Sequence, residues 1–174
     1  PAVVNMRVVV GGTVDVIVDV QGWFGPGDGF TPVGPARVVD TRVGFATIDG
    51  VDAGGGTVGA AAVTTFRVTG RAGVPATGVG AVAINVTAIN QTLLTHLTVY
   101  PAGTPRPTAS VLNPKPGLVA SNLVIAKVSP AGEISIFNLQ GSLDLIVDIA
   151  GWFPSDVQAA ADSVTVAEDS AAAV

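Results

Sequence analysis

The stretch GSLDLIVDIAGWF at residues 141–153 decides the fold, because it is a near copy of GTVDVIVDVQGWF at residues 12–24. Eight of the thirteen positions are identical, and most of the others exchange Val for Leu or Ile, or Thr for Ser. Both copies alternate with period two. Leu143, Leu145, Val147 and Ile149 fall on one face, opposite Asp144, Ile146 and Asp148. Val14, Val16, Val18 and Val20 share a face in the first copy, opposite Thr13, Asp15, Ile17 and Asp19. One apolar face and one mixed face is the pattern of an antiparallel strand over a core.

The copies are far enough apart for each to close a whole domain. Residues 1–24 then read as the closing hairpin of a preceding repeat. Residues 25–29, GPGDG, are a linker by composition. Residues 30–153 read as one complete β repeat unit. Residues 154–174 read as a linker and the first strand of a following module, with one alternating patch at Ser163 to Val166. An isolated hairpin is marginal in water. Residues 1–24 are therefore expected to dock on their own chain or on another molecule by strand addition, and head-to-tail donation would build a filament.

Composition agrees with strands. Hydrophobic residues make up 48% of the 174 positions and charged residues only 12%. Val and Thr fit a pleated, half-buried surface, while 22 Gly and 12 Pro break long helices. Mean hydropathy is high at +0.58, yet the apolar runs are too short and too often interrupted for a spanning helix of about 20 residues. Pro1 to Asn5 lacks the basic start and apolar core of a signal peptide, so the chain reads as a mature or excised piece. There is no Cys, which excludes disulfides and thiolate chemistry. The net charge is −5, with eight scattered Lys and Arg, so neither nucleic acid nor membrane insertion is expected.

Strands are expected at Val3–Val10, Arg37–Asp40, Val58–Thr69, Val79–Ile89, Thr95–Tyr100, Ala109–Leu112, Leu123–Val128 and Glu133–Leu139, besides the two copies above. Gly- and Pro-rich turns separate them, including Gly70–Pro75. The expected fold class is all-β, an antiparallel β-sandwich of Greek-key or jelly-roll type, with a closed barrel or trefoil-like arrangement as the alternative.

The unit at 30–153 carries a series of short motifs in order. They are Pro35-Ala36-Arg37-Val38-Val39-Asp40-Thr41-Arg42, Gly73-Val74-Pro75, Ala83-Ile84-Asn85-Val86-Thr87, Leu97-Thr98-Val99-Tyr100-Pro101, Ser110-Val111-Leu112-Asn113, Ala120-Ser121-Asn122 and the closing Ile146–Phe153. Together they resemble a repeat domain of secreted actinobacterial surface proteins, often attached to cell-wall hydrolases or strung in arrays. The resemblance implies an extracellular, non-enzymatic accessory module. Ala161–Asp169 is similar to the opening of cadherin-like or VCBS-type adhesin repeats, which implies calcium as the alternative to having no cofactor. The expected location is secreted or cell-surface. The expected partners are other copies or adjacent repeats, with cell-wall glycan as the second choice.

Little else points to chemistry. His96, the sole histidine, reads as an ordinary strand residue, and no Gly-x-Ser-x-Gly elbow occurs. Asp144 and Asp148, like Asp15 and Asp19, sit four residues apart, roughly 13 Å along a strand, too far for paired-carboxylate catalysis. No catalytic residue is expected. Asp148 in so apolar a strand needs a partner; Asp148 and Asp40 are expected to join Arg37 or Arg42, or nearby backbone N–H groups, in a network tying the first strand to the last, with Arg42 an important member. Trp23 and Trp152 are candidates for stacking on sugars, though a core plug at the domain seam is the favoured reading. Asp49 and Asp52 are the calcium candidates, with a plain surface turn favoured. Gly54–Gly56 reads as a flexible loop, and the sequons at Asn85 and Asn90 as residues satisfying ladders and turns.

Overall fold

The computed structural model describes residues 24–155, apart from Pro26 and Asp28. Among these residues there is no helix, and seven strands form two antiparallel sheets. They are β1 (Thr31–Asp40), β2 (Val63–Arg67), β3 (Val79–Ile89), β4 (Leu97–Pro101), β5 (Ala120–Lys127), β6 (Glu133–Asn138) and β7 (Asp144–Pro154). One sheet has the order β1-β7-β3-β5 and the other β2-β6-β4. The sheets are not closed into a barrel, so the barrel and trefoil alternatives give way to a sandwich.

Each connection crosses from one sheet to the other. This is the winding of a jelly roll with one strand reduced. The reduced strand falls in the long β4–β5 connection, where Leu112 makes an isolated antiparallel bridge to Leu97. A strand expected at Ala109–Leu112 is thus only a single bridge, because the prolines at 105, 107 and 114 remove the donors a ladder needs.

The core lies between the sheets. Val82, Ile84, Val86 and Ala88 of β3 and Leu145, Val147 and Ile149 of β7 are buried against Phe66, Leu97, Ile134 and Ile136 of the second sheet. On the other face of β7, Asp144 and Ile146 are also buried. The single apolar face expected for the closing strand understates its burial for that reason.

Several strand boundaries moved, including the start of β4, which begins at Leu97 instead of Thr95. β1 begins at Thr31, because its first residues pair with Gly151 and Trp152 despite Pro32 and Pro35; bulges and an edge position accommodate the prolines. β2 is confined to Val63–Arg67, since Ala61 adopts a positive φ of 55° and Val58 keeps only one bridge, to Leu143. β5 begins three residues earlier than expected, at Ala120. The expected strands at Val3–Val10 and residues 12–24 lie outside the described residues, save for Phe24.

Within the unit, the counterpart of the expected closing hairpin is not a hairpin. β6 and β7 belong to different sheets and are joined by an arch.

Candidate functional site: two arginine clamps

The ion pairs among the described residues gather at two places, each built by arginine. The first lies where β1 meets β7. Arg37 and Asp148 are cross-strand partners, and Arg37 donates from Nε to Asp148 Oδ1 at 3.0 Å. The same guanidinium donates from Nη1 to Asp40 Oδ2 at 3.1 Å. Asp40 is fully buried and also accepts from Arg42 through Nε at 2.9 Å, Nη2 at 2.7 Å and the backbone N–H at 3.2 Å. The forked contact from Arg42, helped by its backbone N–H, holds the Asp40 carboxyl below its ordinary range against the opposing effect of burial.

All four residues singled out from sequence therefore meet, but with unequal roles. Arg37 alone spans the two strands. Arg42 serves Asp40, two positions away, and lays its guanidinium over the Phe45 ring at 3.6 Å. The side-chain tie between first and last strands thus runs through Arg37.

Sequence reading missed the centre of the second clamp. Arg71, in the turn between β2 and β3, is only 8% exposed. It donates from Nε and Nη2 to both oxygens of Asp49, at 2.7 and 2.9 Å, and from Nη1 to Asp52 at 2.8 Å. It also caps the carbonyls of Val38, Val51 and Arg67 at 2.8, 3.0 and 2.9 Å. The guanidinium pulls Asp49 down to about 2. Asp49 and Asp52, the calcium candidates, therefore face a built-in cation, Arg71, which offsets one of their two charges. Among the described residues no cluster of three or more His, Asp or Glu converges as a metal ion would require. One signal was available: two acids in Asp49-Gly50-Val51-Asp52 have no nearby cation in sequence, and Arg71 is one of only eight basic residues.

Asp144 and several amides also have protein partners. Asp144 accepts from Asn90 Nδ2 at 2.7 Å and Thr41 Oγ1 at 3.5 Å, so one sequon asparagine is engaged with a buried carboxylate. Asn85 bonds Thr87 within β3. Asn138 is fully buried. Its amide donates to Val58, Gly59 and Gly141, and its carbonyl accepts from Thr95. That hub ends β6 and shapes the arch into β7. His96 lies just before β4, with its ring centroid 6.4 Å from that of Phe137. The backbone of Gly54 and Gly56 pairs with Asp40 and Thr41.

Trp152 pairs with Val82 and packs partly buried against the core. Trp23 lies outside the described residues. Phe153 turns to the outer face, where its ring meets Phe30 at 5.0 Å. Phe24 joins both, 4.6 Å from Phe30 and 6.0 Å from Phe153.

The class defined by this fold is an all-β sandwich with jelly-roll winding. No protein-family model matches the chain, and no curated protein matches it.

Proposed function

We propose that residues 30–153 form a non-catalytic structural module of a secreted bacterial cell-surface repeat protein, working as a spacer or assembly unit. One observation supports this most. The charge clusters pair within the unit: Arg37 and Arg42 clamp the end of β1, and Arg71 clamps the loop that follows it. Groups that a catalyst or glycan receptor would direct outward are here engaged in holding the chain to itself. The quoted motifs and the copied closing strand support the repeat-protein context.

Association with other copies fits the edge of the larger sheet. β5 is an edge strand, and its outward Leu123 and Ile125 are both more than 60% exposed. An apolar edge strand is a template for pairing.

Two measurements test the reading. Light scattering of the full chain is expected to show association that is lost when Leu123 and Ile125 are both changed to Lys. Trp fluorescence is expected to stay unchanged on adding bacterial cell-wall polysaccharide. A saturable polysaccharide response, abolished by Trp152→Ala in a folded variant, would replace the structural module with a glycan receptor.

A further inference from the structure

We infer that Phe30 and Phe153 form the receiving surface for the terminal phenylalanine of a preceding unit of the same kind, and that Phe24 is that phenylalanine, already seated. The inference rests on the tandem-module reading above and names the joint between units.

Phe24 ends the first GWF copy as Phe153 ends the second. The two rings, the last side chains of two successive copies, stand 6.0 Å apart edge to face. Phe30 wedges between them at 4.6 and 5.0 Å from their centroids. These separations and tilts are those of attractive aromatic pairs. Antiparallel pairing explains why the ends meet: Thr31 lies opposite Trp152, so the chain reaches the sandwich beside the place where it leaves.

The glycine of GWF makes the joint possible. A Cβ at Gly151 would overlap the Phe30 ring and approach the Thr31 carbonyl to 2.8 Å. Only glycine lets Phe30 lie flat on the outer face of β7. The first copy has glycine at the same place, Gly22.

The surface is also left open on one side. Phe24 remains 56% exposed, and an open cleft of about 430 Å³ lies along Phe24, Gly25, Phe30 and Pro32. In a preceding unit the counterpart of Phe30 would stack on Phe24 as Phe30 stacks on Phe153. Each terminal phenylalanine would then serve two units at once. Residues 154–174 contain neither glycine nor an aromatic residue, so this segment supplies no counterpart of Phe30 for Phe153.

The test uses the full chain with Phe24→Ala, Phe30→Ala and the double variant. Phe24 stands outside the core, so its variant keeps the sandwich. Phe24→Ala is expected to lower Tm by about 2–4 °C, and the double variant to melt close to Phe30→Ala alone. An endoproteinase that cuts before aspartate is expected to cleave the Gly27–Asp28 bond several-fold faster in Phe24→Ala. Losses that add, or a readout that stays at the wild-type value, would overturn the joint and leave the structural-module reading standing. A polysaccharide response at Trp152 would do the reverse.

Discussion

Arg71 grips both carboxylate oxygens of Asp49, twenty-two positions away in sequence, while its Nη2 also caps the carbonyl of Val38 at the end of β1. One side chain thereby fixes the loop after β1 and the turn before β3 to the same strand. Arg71→Met is expected to destabilise the fold by about 2–3 kcal/mol, since it takes a donor from three carbonyls and the cation from Asp49 and Asp52, whose side chains, 34% and 32% exposed, can still hydrate. Arg71→Lys should recover little, because an ammonium lacks the fork that meets both oxygens and the carbonyls together. Urea unfolding checks both variants.

Arg37 and Arg42 should separate by cost. Arg42→Ala leaves the fully buried Asp40 with the backbone N–H of residue 42 and one contact from Arg37, for about 2–3 kcal/mol. Arg37→Ala breaks the link to β7, but its side chain is 36% exposed, so solvent screening holds the loss to about 1 kcal/mol. A larger loss from Arg37→Ala in denaturant titrations would reverse this ranking.

Acid should weaken the fold in a defined window. Asp49 keeps its charge in the folded chain down to about pH 2, below the ordinary 3.8, and Asp40 is shifted the same way. The unfolded chain takes up protons first as pH falls. The stability these acids contribute is complete above their unfolded range, near pH 4, and is lost as pH drops toward 2. Urea midpoints from pH 6 to 2 should fall in that window, and Arg71→Met should flatten the fall.

Asn138→Leu is expected to cost about 3 kcal/mol despite the similar volume. It removes the donors that hold Val58, Gly59 and Gly141 and the acceptor for Thr95. Calorimetry should show this loss, with the β-rich circular dichroism retained.

Period-two alternation made β3 and β7 readable, because both strands are held on each side and their apolar residues face one core. Ala109–Leu112 misled because the prolines at 105, 107 and 114 on either side leave too few donors to extend its single bridge into a ladder along β4. Only the Arg37–Asp40 part of β1 was read; its first half carries Pro32 and Pro35, which an edge strand tolerates. That Asp148 needs a partner was legible from the cost of an unpaired acid in an apolar strand; that Arg37 and not Arg42 supplies it depends on the cross-strand register. Arg71 was not, because its turn is written in glycine and proline, and its partners lie in a loop distant in sequence. Asn138 looked like one more strand residue; only the arch between the sheets makes its amide a hub.

Because β1 arrives at the sandwich beside the departing end of β7, a pull on the two ends would load the hydrogen bonds between those strands one after another. They would open like a zipper instead of sharing the load in shear. A string of such units would lengthen under modest tension from its strand ends inward, and its resting span would follow the connectors more than the bodies hung between them.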